Sequence, residues 1–421
     1  MLDPRLAPVS SGSGLENRPT VLDLFSAPGG MSQGFRDAGF KVLAVVDIDS
    51  WGCETLRQNF SLSGTEIIET DVQRLGITGR VDVVTGGPPC QSFSQVGRAK
   101  INHLTNQGKR ERFIDDERNR MYKEFVRVVA SLKPQFFVME NVPGISSFRD
   151  GQVVEDILAD FEGIGYSVDV EVLKAADYGI PQIRRRAIFI GNRLGERNLF
   201  PAKIFASDSD PSQSSLSENL RKRGYLTIYD AISDLPSLQA GEGEDEVAYS
   251  SSPLTKYQEW ARQESDCIYN HVARKHSDRD IQLFRALTPG QQMTDLPDHL
   301  IRLLPYPQDI FKDKIKKHRW DQPSYAIVAH MQKDGLMYIH PDPEQPRSFT
   351  PREAARIQSF RDSFRLMGPL TQQFRQVGNA VPPLLARSIA EMVRKSIDPG
   401  KHPRVRHAVV DSGVKPAVLI N

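Results

Sequence analysis

Cysteine is scarce in this chain: Cys53, Cys90 and Cys267 are the only three in 421 residues. An odd, small number with no close pair excludes a disulfide scaffold and a cysteine-based zinc site, and points to a reducing compartment. No metal is expected. Neither sign of charge is in excess, since 54 Lys and Arg stand against 53 Asp and Glu for a net charge of +1. Bulk charge therefore names no partner, and a nucleic-acid surface would have to come from local segregation of basic residues. Long apolar runs are also missing. No window approaches the roughly 18 residues that a membrane helix needs, and Met1 to Thr20 lacks the apolar centre of an export signal. The expectation is a cytoplasmic protein with no membrane partner, of a length that suits two or three domains.

What is present is a series of short, β-branched apolar runs: VLDLFS (21–26), KVLAVVDID (41–49), EIIETDV (66–72), VDVVTGG (81–87), QFFVMENV (135–142) and AIFIG (187–191). Helix-length segments separate several of them. One has Met121, Phe125, Val128, Val129 and Leu132 at helical spacing before Lys133-Pro134 stops it. Alternating strands and helices predict a doubly wound α/β fold with a mostly parallel sheet covered on both faces. After Asn192 the alternation fails. ASDSDPSQSSLSEN (206–219) and GEGEDE (241–246) read as exposed loops, and the region from about 195 to 346 reads as a smaller, irregular domain. At Thr350-Pro351-Arg352-Glu353 a capping box announces a helix, and another is expected after Pro382-Pro383. The stretch from Asp398 to Asn421 reads as a loosely held tail.

The chemistry-bearing residues sit where these strands end. The first strand runs into Phe25-Ser26-Ala27-Pro28-Gly29-Gly30, a glycine turn that would let backbone approach a ligand at a topological switch point. A plain tight strand-to-helix turn fits the same residues, and the spacing is not the dinucleotide fingerprint. The second strand ends in Asp47-Ile48-Asp49, where a carboxylate could accept ribose hydroxyls; as a helix N-cap, Asp49 fits better than Asp47. Asp71, after the third, could reach an adenine amine or cap a turn. The fourth ends in Gly86-Gly87-Pro88-Pro89-Cys90-Gln91, where two prolines stiffen the approach to one cysteine whose pKa nearby N–H groups could lower. The fifth ends in Glu140-Asn141-Val142. Gln182-Ile183-Arg184-Arg185-Arg186 precedes the last strand, and alternation would send Arg184 and Arg186 to one face. A surface charge run is the competing reading. Gln376 to Pro383 combines a Gly-Asn turn with a helix start.

Taken in this order, FSAPGG, PPCQSFS, ENV, QIRRR, RSFTPREAARIQSF and QVGNAVPP resemble the DNA cytosine-5 methyltransferases over residues 21–193 and 347–392. The resemblance implies a doubly wound domain (21–194 and 347–397) that binds S-adenosyl-L-methionine, an inserted target-recognition domain (195–346), an extension (1–20) and a tail (398–421). It implies that the Cys90 thiolate adds to cytosine C6, that Glu140 holds N3 and the exocyclic amine, and that Arg186, with Arg184, binds O2 and the flanking phosphate of a flipped nucleotide. The donor would lie against Phe25, Ala27, Gly29, Gly30, Asp47, Ile48, Asp71, Pro89, Asn379 and Val381. Two departures are present. Ala27 stands where the family usually has Gly, which bears on the path of the donor loop, and Phe360-Arg361-Asp362 stands where it has Phe-Pro-Asp, which bears on a local turn.

In the family the loop after the cysteine closes over DNA, and Gln91 to Arg120 carries seven basic residues against four acidic ones. Lys312 to Arg319 carries five against one and reads as a phosphate-contacting run or a solvated helix face. The expected partner is double-stranded DNA, with a cognate restriction endonuclease as a functional partner, a monomeric enzyme, and a nucleoid-associated place of action. The same motifs serve a tRNA-directed enzyme, but an insert of about 150 residues favours sequence reading in DNA. A silent DNA-binding relative would be expected to lack Cys90 or Glu140. The glycine spacing disfavours a nicotinamide oxidoreductase.

Overall fold

The apolar runs between Thr20 and Asn192 pair edge to edge into one seven-stranded sheet. In the computed structural model, residues 18–89, 121–206, 224–304, 314–397, 408–411 and 418–419 are described. Cys90, the loop Gln91 to Arg120, most of the serine-rich stretch and Lys312 lie outside them. We number the sheet strands β1 (Thr20–Leu24), β2 (Lys41–Asp47), β3 (Glu66–Glu69), β4 (Val83–Gly86), β5 (Phe136–Asn141), β6 (Ser167–Lys174) and β7 (Arg185–Asn192). Their order across the sheet is β3-β2-β1-β4-β5-β7-β6. The pairs β1–β2, β2–β3, β1–β4 and β4–β5 are parallel, whereas β7 runs antiparallel to both neighbours. The chain departs from β1 in both directions, so the switch point lies between β1 and β4, at the carboxyl ends of the parallel strands.

Among the described residues, four α-helices lie between the strands: α1 (Gly30–Asp37), α2 (Ser50–Phe60), α3 (Met121–Leu132) and α4 (Gln152–Glu162). As expected, α3 ends before Pro134, with Lys133 at φ +49°. Its Phe125, Val128, Val129 and Leu132 are buried with Val84, Phe137 and Phe161 in one core, where the Phe137 and Phe161 rings stack at 3.9 Å. The strand SVDVEVLK, our β6, escaped the sequence reading. It lies at the sheet edge and is mostly open to solvent, so its valines form no continuous apolar run.

The described residues fall into two compact units. The sheet unit comprises those of Val9–Lys174, Arg185–Ala202 and Leu385–Asn421; the other comprises Ala175–Arg184 and those of Lys203–Leu384. The chain returns to the sheet unit at Leu385, within the helix Pro383–Ser396, whose Arg394 Nη1 donates to Ala38 O at 2.7 Å. From the tail, Ala408–Asp411 pairs antiparallel with Gly76–Gly79.

The second unit is built from short elements around the helix Pro351–Ile357, every residue of which is buried. The expected capping box is present: Thr350 Oγ1 accepts from Glu353 N, and Glu353 Oε2 accepts from Thr350 N. Glu353 also receives both terminal nitrogens of Arg347 at 2.7 Å, and Arg356 grips Asp362 at 2.8 and 2.6 Å. The departure at Arg361-Asp362 thus keeps the carboxylate that holds a buried arginine. One loop expectation is corrected here, because Gly243–Ala248 forms an exposed strand paired antiparallel with Cys267–Val272. Its acidic side chains sit on a solvent-facing ladder, where polarity does not oppose pairing.

Candidate active site

The loop that follows β1 is shaped by backbone that few side chains adopt. Phe25 (φ +53°), Ala27 (φ +49°) and Gly29 (φ +98°) are all left-handed. At Gly29 a Cβ would lie 2.7 Å from the Phe60 ring and 2.8 Å from Leu56, so glycine is required there. Ala27, by contrast, adopts a glycine-like conformation at a cost of about 1 kcal/mol. The loop is tied to β2, for Ser26 N donates to Val46 O at 3.1 Å and Ala27 N donates to Asp47 Oδ2 at 2.7 Å. Asp47 Oδ1 accepts from Asp49 N at 2.8 Å. Two main-chain donors therefore orient this carboxylate, and burial raises its pKa. Ile48 beside it is 69% exposed, an uncovered apolar surface next to a fixed acceptor. That pairing fits a nucleoside, whose ribose diol needs an acceptor and whose base needs an apolar face.

Both neighbouring carboxylates make local caps. Asp49 N-caps α2, its Oδ1 accepting from Gly52 N at 2.9 Å. Asp71 Oδ1 accepts from Gln73 N at 3.0 Å and caps a short turn. A residue that sequence reasoning missed lies beneath the loop. Asp23, in the middle of β1, is fully buried and accepts from the hydroxyls of Ser32 and Thr85. Burial pushes its pKa up to about 6 against those two hydrogen bonds.

At the same carboxyl edge, β5 ends in Glu140 and Asn141. Because β7 is antiparallel, it begins where β5 ends, with Asn141 opposite Ala187. That reversal brings Arg186 Nε to 2.5 Å from Glu140 Oε1, with both side chains about one-eighth exposed. Burial lowers the Arg186 pKa, and the Glu140 charge acts in the opposite direction. Gly87 leaves room for this carboxylate, since a Cβ there would stand 3.0 Å from Glu140 Oε2. Asn141 Nδ2 donates to Pro88 O at 3.4 Å, which anchors the proline pair to the end of β5. Pro88 is buried and Pro89 exposed; Cys90, the next residue, lies outside the described region.

The remaining expected residues belong to the second unit. Arg184 is buried there, and its guanidinium donates to the carbonyls of Ile327, Gly378 and Ala380. Asn379 is exposed, whereas Val381 is buried. The basic run before Trp320 is not a helix in its described part, Lys314 to Arg319. Lys314 pairs with Asp334 and Arg319 with Asp321, Lys317 Nζ donates to Phe284 O, and Lys316 lies over the Tyr325 ring. These charges are engaged within the chain. Among the described residues no cluster of His, Cys, Asp or Glu could hold a metal, and no helix is long and apolar enough to cross a membrane.

Comparison with known proteins gives one consistent answer. Residues 19–395 match the family described as C-5 cytosine-specific DNA methylase. The chain is 38% identical over 384 residues to the type II methyltransferase M1.HphI of Haemophilus parahaemolyticus, a match covering 89% of this chain and 87% of that protein. It is 37% identical over 397 residues to the type II methyltransferase M.DdeI of Desulfomicrobium norvegicum, covering 89% and 88%. A solved structure described as a candidate DNA modification methyltransferase encoded within a prophage (E. coli) is 25% identical. It superposes with a TM-score of 0.66 over 90% of this chain and 99% of its own.

Proposed function

The chain belongs to the C-5 cytosine-specific DNA methylases, and on that premise we propose that it methylates C5 of cytosine within one short sequence of double-stranded DNA, on a base turned out of the duplex. The observation that carries this reading is the Glu140–Arg186 ion pair at the carboxyl edge of the sheet, beside the Gly87-Pro88-Pro89 approach to Cys90. S-adenosyl-L-methionine, the donor that the family implies, supplies a sulfonium methyl group. Phe25, Ala27, Gly29 and Gly30 would face its methionine part, Asp47 its ribose, Ile48 and Asp71 its adenine; Pro89, Asn379 and Val381 are assigned to it on the resemblance alone.

Cytosine C5 is a weak nucleophile. The Cys90 thiolate adds to C6, the C5–C6 electron pair moves to C5, and C5 becomes enamine-like. Glu140 holds N3 and the exocyclic amine while Arg186 holds O2, so charge developing on the ring meets fixed partners. C5 would take the sulfonium methyl as the S–CH3 bond breaks and S-adenosyl-L-homocysteine leaves; loss of the C5 proton to water then reforms the double bond and releases the Cys90 thiolate by elimination. An extruded base is needed because neither the sulfur nor the methyl group reaches C6 and C5 inside the stack. The names of the type II relatives support a role as the modification half of a restriction system. We assign the enzyme to the cytoplasm, at the nucleoid, acting as a monomer.

The test is tritium transfer from labelled S-adenosyl-L-methionine to genomic DNA lacking cytosine methylation, with Cys90→Ala alongside and bisulfite sequencing of the product. Label on C5 in one short context, lost with Cys90→Ala, is expected. Label on tRNA instead of DNA, or DNA binding without label, would overturn the reading.

A further inference from the structure

The helix Leu370–Asn379 ends against an unusual set of donors. The last carbonyls of a helix have no intrahelical partner, and Val381-Pro382-Pro383 follows, where two of three residues lack an N–H. Side chains fill the gap. Arg184 Nη2 donates to Gly378 O at 3.2 Å and to Ala380 O at 3.0 Å, while Gln358 Nε2 donates to Ala380 O at 2.7 Å and to Val377 O at 3.3 Å. Gln182 binds Gln358 Oε1 through its amide nitrogen and accepts from Ile327 N at 2.9 Å, and Arg184 Nη1 takes Ile327 O. Gly378 fits against Val328 and Ala329 so closely that a Cβ would lie 2.2 Å from Ala329 N. Gln182, Arg184 and Gln358 are all buried.

This clamp leaves one residue outside. From Gln376 to Ala390 every residue is buried except Asn379. A helix end is a place where chains fray, yet here the carbonyls on either side of Asn379 are fixed by a planar cation suited to reaching several acceptors at once. A cation at a helix carboxyl terminus is also favoured by the helix dipole.

We infer that Arg184, with Gln182 and Gln358, is a positioning residue that presents Asn379 to the methyl donor, and that it does not contact DNA phosphate. The inference rests on the proposed reading of Asn379 as a donor contact.

The experiment compares Arg184→Lys, Arg184→Ala, Asn379→Ala and the Arg184→Ala/Asn379→Ala double variant in the full chain. Donor affinity is measured by calorimetry with S-adenosyl-L-methionine, and duplex DNA affinity by anisotropy across a salt series. Lysine keeps the charge that a phosphate contact needs but cannot span three carbonyls. The clamp predicts that Arg184→Lys weakens donor binding about tenfold and that Arg184→Ala leaves the salt slope of DNA binding unchanged. It also predicts that, once Asn379 is Ala, Arg184→Ala adds little. If Arg184→Ala does not fold, Arg184→Lys and the Arg184→Lys/Asn379→Ala double variant carry the comparison, and donor affinity untouched by Arg184→Lys then overturns the inference by itself. Donor affinity untouched by Arg184→Lys, together with a salt slope about one unit shallower in Arg184→Ala, makes Arg184 a phosphate ligand and overturns the inference. If Asn379→Ala alone leaves donor binding unchanged, the assignment of Asn379 fails and the inference falls with it. If instead Asn379→Ala weakens binding and the Arg184 effect adds fully to it, only the inference fails.

Discussion

At the scale of single residues, Gly87 and Ala27 bear on the groups to which the proposed chemistry is assigned. Gly87→Ala would set a methyl group 3.0 Å from Glu140 Oε2, so the carboxylate must give by a few tenths of an ångström, which disturbs its pairing with Arg186. We expect kcat to fall about tenfold or more while the melting temperature changes little, as steady-state kinetics beside thermal denaturation will report. Ala27→Gly should act in the opposite sense. It relieves a left-handed alanine, and we expect denaturant unfolding to show a gain of up to about 1 kcal/mol, offset in part by the greater freedom of glycine when unfolded. The strand ends were legible in the sequence because a polar residue closes each apolar run, as Glu140 and Asp47 do. Asp23 was not legible. A carboxylate inside VLDLFS looks like one more strand residue, and its burial with Ser32 and Thr85 appears only when β1, α1 and β4 are assembled.

At the scale of elements, the helix Pro351–Ile357 shows how a capping box can serve more than its own helix. Thr350 Oγ1 satisfies Glu353 N and also lies 3.0 Å from His271 Nδ1. Thr350→Ala therefore removes a cap, worth about 1 kcal/mol, and strips a buried imidazole nitrogen of its partner, worth at least about 1 more. A loss near 2 kcal/mol in urea unfolding is expected; a value below half of that would mean that His271 finds another partner. This helix was readable because capping is local. The rest of its unit was not, since Arg356 reaches Asp234, 122 residues away, and Arg184 reaches Ala380, 196 residues away. QIRRR resembled a surface charge run because the carbonyls that bury Arg184 belong to a distant turn.

At the scale of the molecule, buried histidines set the acid limit of stability. Burial drives His276 down to about 4 and both His318 and His340 down to about 3, from an ordinary value of 6.5. The unfolded chain takes up protons at these sites below pH 6.5 while the folded chain does not. Their contribution is therefore complete above pH 6.5 and is lost as pH falls toward 3, at up to about 1.4 kcal/mol per pH unit for each histidine. Asp23 works against this trend, because its raised pKa lets the folded state bind a proton near pH 6. Urea midpoints between pH 7 and 5 should fall, and His340→Gln should flatten the slope. The hydrogen bond from Arg394 to Ala38 O has a consequence of another kind, in the order of biosynthesis. Its two residues are 356 positions apart, which at roughly 5–20 residues per second separates their synthesis by about 20–70 s. The sheet unit, begun first, is completed only after the segments that build the second unit have left the ribosome. A nascent chain thus cannot close the helix Gly30–Asp37 onto the helix Pro383–Ser396 until the segments of both units have been synthesised.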